Sequence, residues 1–193
     1  KPSVDSPTIK FENISDYFGE CDEFRSHYQH LNTTPVDYEI FCYQRWFILK
    51  NFMEKYNIGK VFYCDSDVML FANVTEEWDK FNQYEMTLLH RSAAIASFIT
   101  LDGIRSLCDL IMTTYKNKDS YNYKKIASHY NVRRECGLAG GVCDMTVLEL
   151  FHYCSDCGGG PGKVGEMMQI IDGSTYDHNI NVPDQGFDFN GRH

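Results

Sequence analysis

Asp65 and Asp67 flank a single serine in Asp65-Ser66-Asp67, directly after the uncharged run Val61-Phe62-Tyr63-Cys64. Carboxylates are hard oxygen donors, and two of them at a point where the chain leaves a strand can reach one divalent ion, with Mg²⁺ or Mn²⁺ the match in hardness. Such an ion can hold a diphosphate. An Asp-rich surface turn is the plain alternative, and the apolar run in front of the acids favours the metal. Asp144 follows Gly140-Gly141, where the absent side chain lets a backbone approach a ligand. A carboxylate there can accept a proton from an attacking hydroxyl, or simply cap a helix. Arg45 can meet the charge of a diphosphate, or pair with Glu39 or Asp37 along its own helix.

These residues need elements to hold them. Between Asp37 and Tyr56, Cys42, Trp46, Leu49, Met53 and Tyr56 recur at steps of three and four, which predicts one face of an amphipathic helix carrying Arg45. Gly59 stands where that helix stops. Val61 to Cys64 then predicts a short strand covered on both faces in a parallel sheet, with the acids at its carboxyl end, where open α/β sheets bind ligands. Further strands are predicted at Tyr84 to His90, Ala93 to Ile99 and Val164 to Ile171. Thr100 is placed to cap a helix through Tyr115, weakened in its first turn by Gly103, and a helix from about Met145 to Tyr153 follows Asp144. The order α, β, β, β, α, α, α, β predicts an α/β fold, a mixed sheet flanked by helices.

The segment Tyr38-Glu39-Ile40-Phe41-Cys42-Tyr43-Gln44-Arg45-Trp46-Phe47, the strand, and Asp65-Ser66-Asp67-Val68-Met69-Leu70-Phe71 together resemble the GT-A-fold nucleotide-sugar glycosyltransferases. In that superfamily a helix with a central Arg leads into a strand ending in a DxD motif. The resemblance is best over residues 37 to 75 and extends more loosely through Ser92-Ala93-Ala94-Ile95-Ala96-Ser97-Phe98 and Gly140-Gly141-Val142-Cys143-Asp144-Met145-Thr146. It implies transfer of a sugar from a nucleotide diphosphate donor, a UDP-sugar favoured, to a carbohydrate or glycoconjugate acceptor. Asp65, Ser66, Asp67 and Arg45 would hold the donor, and Asp65 and Asp67 would bind Mn²⁺ or Mg²⁺. A His late in the domain often completes the metal site, with His178 and His193 the candidates and His178 preferred. Asp144 would be the catalytic carboxylate. The resemblance also implies a single catalytic domain over residues 1–193, truncated at one or both ends, whose first nucleotide-binding strand would precede Lys1.

A rival resemblance is to haloacid-dehalogenase-type Mg²⁺-dependent phosphatases, with Asp65 as nucleophile, Asp67 as acid/base and Asp172 and Asp177 as later metal ligands. Met69 stands where that motif expects Thr or Val, and the motif comes far into the chain. A non-catalytic sugar- or partner-binding module is the third reading. With 27 acidic and 18 basic residues the net charge is −9, which excludes a basic nucleic-acid footprint. Apolar residues make up 43% and charged residues 23%, outside the range of intrinsic disorder. No apolar window is long enough to span a membrane. P-loop and EF-hand readings fail at Cys157 and Val164 and at Met69 and Leu70, respectively. Several of the eight cysteines lie in apolar runs, which favours a reducing, cytoplasmic location over a Golgi lumen or secretory one. Zinc-type spacing in Cys154-Ser155-Asp156-Cys157, with Cys136 and Cys143 to complete a set, is the lesser reading of those thiols. Against the cytoplasm stand three glycosylation-type triplets, at Asn13, Asn32 and Asn73, a kind of pattern that also arises by chance.

Overall fold

The computed structural model describes residues 10–66, 68–89, 96–154, 159–160, 162–167 and 171–174. Asp67, His90, Ala93 to Ile95, Asp177, His178 and His193 lie outside the described residues.

The helix predicted from residue 37 is α2 (Val36–Lys55), preceded by Pro35, whose missing N–H costs nothing at a helix start. Its buried apolar stripe is Ile40, Tyr43, Trp46, Phe47 and Met53. The expected face is therefore turned by about one residue. Cys42 and Leu49 are half-buried and Tyr56 is exposed. The cause is packing on two flanks, by α1 (Cys21–His27) and by α4 (Leu101–Lys116). That contact also takes in polar residues whose partners are provided. Gln44 Nε2 donates to the Cys21 carbonyl at 3.2 Å, and Lys50 pairs with Glu20.

Beyond α2 come β1 (Lys60–Tyr63), α3 (Val74–Glu77), a 3₁₀ turn at Trp78–Phe81, β2 (Met86–Leu88), β3 (Ser97–Thr100), α4, α5 (Tyr121–Glu135), α6 (Asp144–Tyr153) and β4 (Val164–Glu166). Among the described residues the strands form one four-stranded sheet in the order β1-β3-β2-β4. β3 is antiparallel to both β1 and β2, with Val61 opposite Ile99 and Phe62 opposite Phe98, while β2 and β4 are parallel. The fold is thus mixed α/β, a small mixed sheet flanked by helices. The reading of Val61 to Cys64 as a strand within a parallel sheet is corrected: β1 pairs antiparallel with β3 and, among the described residues, is at the edge of the sheet. An unbroken apolar run reports cover on both faces, and this much holds. Val61 and Tyr63 pack on the main helical core, whereas Phe62 packs on a second cluster of Trp78, Phe81, Leu89, Phe98 and Met167. The run carries no information on the direction of the neighbouring strand.

The main core joins α1, α2, α4, α5 and α6 to one face of the sheet. Its centre is aromatic: Phe24 stacks obliquely with Tyr43 and Phe47, and Tyr115 donates its hydroxyl to that of Tyr43 at 3.0 Å in a buried setting. Thr100 caps α4 as its sequence implies, its hydroxyl accepting from Gly103 N–H at 3.1 Å. Gly103 weakens that first turn for a reason. A Cβ there would lie 2.3 Å from the Glu85 carbonyl oxygen, so its absence allows α4 to sit against the entry to β2. Among the described residues no helix is long and apolar enough to cross a membrane.

Candidate functional site

Asp65 leaves the end of β1, Arg45 stands midway along α2, and Asp144 is the first residue of α6. The fold brings them together. Arg45 Nη2 forms a short ion pair with Asp144 Oδ2, and Arg45 Nη1 lies 3.5 Å from Asp65 Oδ1. One guanidinium therefore spans two carboxylates that are far apart in sequence. The alternative pairing along α2 is not made: Asp37 pairs with Arg25, and Glu39 accepts from Asn32 at 3.1 Å and from Thr34 at 2.5 Å.

Asp144 is only 3% exposed, and a buried carboxylate must have its oxygens satisfied. Oδ2 accepts from Trp46 Nε1 at 3.1 Å as well as from Arg45, and Oδ1 accepts from the Met145 N–H at 2.9 Å. It is not the helix cap. Cys143 holds that position, and its N–H donates to Thr146 Oγ1 at 3.3 Å. Trp46, read from the sequence as a core residue, thus also orients the acid. No local pattern signals this, because donor and acceptor are 98 positions apart.

Burial works against the charge on Arg45, but the facing Asp144 carboxylate outweighs it, and the guanidinium pKa is raised. Burial raises the Tyr63 phenol, Asp65 and Asp144 add to that shift, and Arg45 opposes it. The Trp46 ring lies 4.7 Å from the Arg45 guanidinium carbon and 5.2 Å from the ring of Tyr63. Arg45 also borders a cleft of about 250 Å³ whose walls include Glu12, Tyr17, Ile48, Leu49, Phe52 and Tyr63. The site is therefore a charged bridge beside an aromatic and aliphatic hollow.

Asp65 keeps 44% of its side chain exposed, and Ser66 is exposed. Val68 N–H closes a turn on the Asp65 carbonyl at 3.2 Å, so the chain does bend where the acids stand. An exposed carboxylate in a bend offers hard oxygen donors that fit Mn²⁺ or Mg²⁺. Among the described residues there is no cluster of three metal-binding side chains. Asp67 and His178, the other expected ligands, lie outside those residues. Asp172 sits in a tight turn at positive φ, between Ile171 and Ser174.

The reading of Gly140-Gly141 as a place of ligand approach is corrected at Gly141. A Cβ on Gly141 would lie 2.2 Å from the Leu31 carbonyl oxygen, so this glycine admits another stretch of the chain. Val142 N–H donates to that carbonyl at 2.8 Å, and Asn32 Nδ2 donates to the Val142 carbonyl at 3.1 Å. These contacts hold the lead-in to Asp144. The zinc reading loses its ligands: Cys154 is in a disulfide, Cys136 is an exposed thiol and Cys143 is at the α6 cap.

No protein family, curated protein or solved structure was found to match this chain.

Proposed function

We propose that this chain is a metal-dependent glycosyltransferase of GT-A type, which moves a sugar from a nucleotide diphosphate donor, a UDP-sugar favoured, to a carbohydrate or glycoconjugate hydroxyl. The observation that carries this reading is the Arg45 bridge between Asp65 and Asp144, supplied by a helix, a strand end and a helix start. The helix-strand-acidic turn order supports it as well. The cleft beside Arg45 is walled largely by apolar side chains, and the Phe52 and Tyr63 rings on its lining suit contact with a planar base.

Arg45 is the pivot of the proposed chemistry. A guanidinium is a rigid planar fork that suits phosphate as well as carboxylate, so a donor diphosphate competes for it with Asp65 and Asp144. As Arg45 turns to the diphosphate, Asp65 is released and, with Asp67, would hold Mn²⁺ or Mg²⁺, while Asp144 Oδ2 loses its strongest donor. Trp46 and the Met145 N–H keep the Asp144 carboxylate oriented. Freed from Arg45, it accepts the acceptor hydroxyl proton as general base. Mn²⁺ or Mg²⁺, when bound, offsets negative charge on the departing diphosphate.

Product analysis tests the reading. Incubation with UDP-sugars and Mn²⁺ is expected to give UDP and, without an acceptor, slow release of free sugar. Release of inorganic phosphate from phosphate esters with UDP-sugars untouched would replace it with the phosphatase reading. Failure of both reactions, together with failure to bind a nucleotide, would leave the binding-module reading.

A further inference from the structure

The three Asn-x-Ser/Thr triplets are outside the chemistry above, and the fold separates them. Asn13 is exposed together with Ile14, Ser15 and Asp16, and its Oδ1 accepts the Ser15 N–H at 3.2 Å to begin the 3₁₀ turn at Ile14–Tyr17. Asn73 repeats this arrangement. It is exposed, its Oδ1 accepts the Thr75 N–H at 3.1 Å at the start of α3, and its Nδ2 donates to Oε1 of the exposed Glu76 at 2.8 Å, a bond that needs only one of the two amide hydrogens. In both, the asparagine is exposed on a tight turn with its hydroxyl residue exposed beside it.

Asn32 is built in the opposite way. It is 8% exposed, and its Nδ2 donates to Glu39 Oε1 and to the Val142 carbonyl, each at 3.1 Å. Both amide hydrogens are used inside the protein. A sugar on this nitrogen would remove one donor and force a bulky polar group into the packed seam that positions Asp144. The buried acceptor left unpaired adds a desolvation penalty to the steric one.

Cys154 supplies an independent observation, because a disulfide belongs to an oxidising compartment such as the secretory lumen. That lumen is where asparagine amides receive oligosaccharide. We propose that Asn13 and Asn73 carry N-linked glycans and that Asn32 does not. The co-substrate is a lipid-diphosphate oligosaccharide. The bond from sugar C1 to the diphosphate oxygen breaks with its electron pair leaving on the lipid diphosphate, a bond forms between C1 and Asn Nδ2, and the amide gives up one proton. Each remaining N–H can still donate, and at both sites Oδ1 keeps its turn bond.

The test is peptide mass spectrometry of the protein isolated from its own cells, after amidase removal of N-glycans in heavy-oxygen water. That treatment leaves an isotope-labelled aspartate wherever a glycan stood. Label is expected at positions 13 and 73, with unlabelled Asn32. Absence of label at either exposed site overturns the proposal for that site, and label at position 32 in folded protein overturns the sorting rule itself. Ser15→Ala and Thr75→Ala provide a second readout in the full chain secreted from a eukaryotic host. Each removes an acceptor hydroxyl while keeping the backbone N–H that Asn13 or Asn73 binds, and each is expected to lose one glycan-sized step in gel mobility. An unchanged mobility for both variants also overturns the proposal.

Discussion

Arg45 stands between Asp65 and Asp144, and removal of either side of a buried ion pair leaves a charge without its partner. Arg45→Met should therefore destabilise the fold by about 3–5 kcal/mol, since Asp144 would keep only Trp46 and its neighbour's N–H. Urea denaturation at neutral pH measures this loss. Arg45→Lys retains the charge but not the fork that spans the acids, and an intermediate loss is expected. Asp144→Asn separates catalysis from structure: if Asp144 is the base, turnover per folded molecule should fall by roughly 10²-fold or more, while nucleotide affinity is kept or rises, because Arg45 loses a carboxylate that competes with the diphosphate. Turnover normalised to folded fraction decides this, and full retained activity would leave Asp144 a purely structural anchor. All three residues were legible as candidates: Asp65 from its place at a strand end, Asp144 from its place at a helix start, and Arg45 from its charge midway along a helix that leads to that strand. Their contact was not. Side chains separated by 99 positions meet only through the packing of α2 against α6, which no local spacing records.

At the scale of elements, β1 and β3 join the helical core to the smaller cluster behind the sheet, and Phe98 is central to that cluster. Its ring meets those of Phe62, Trp78 and Phe81 at centroid distances of 5.0, 5.0 and 4.9 Å. Phe98→Ala should cost about 3–5 kcal/mol, the range for emptying a large buried aromatic site, and thermal denaturation reads it directly. Gly103→Ala has two opposed effects. Alanine improves helix propensity by about 1 kcal/mol, but its Cβ would overlap the Glu85 carbonyl, and such overpacking costs about 1–3 kcal/mol. Because the obstacle is backbone, a net loss of stability is expected. Helices α2, α4 and α6 were legible because apolar periodicity and caps are local properties. The buried face of α2 was misplaced by a residue, since its flanks receive two helices and bury the satisfied polar groups Gln44 and Lys50. The sheet was legible as mixed, while the edge position and antiparallel partner of β1 depend on contacts that hydropathy does not encode.

Across the whole molecule, burial and charge govern reactivity and ligand choice. Burial pushes the Cys21 thiol up to about 12 and that of Cys42 up to about 11, each with help from nearby acids. Alkylation needs the thiolate, so a raised pKa keeps these residues in the unreactive thiol form as pH rises through the mildly alkaline range. Exposed Cys136 should label first, with Cys21 and buried Cys108 labelling only on unfolding, as peptide mapping after brief iodoacetamide treatment would reveal. Net charge acts on the ligand. A chain of charge −9, whose site arginine is already shared by two carboxylates, repels a diphosphate unless a cation joins the complex. The most direct measurement is a calorimetric titration with UDP in Mn²⁺ and again in EDTA. Saturable binding in Mn²⁺ that weakens at least tenfold in EDTA, about 1.4 kcal/mol, is the expected result. Equal affinity in the two solutions, or no UDP binding in either, would contradict a metal-assisted nucleotide-sugar site at Arg45, Asp65 and Asp144.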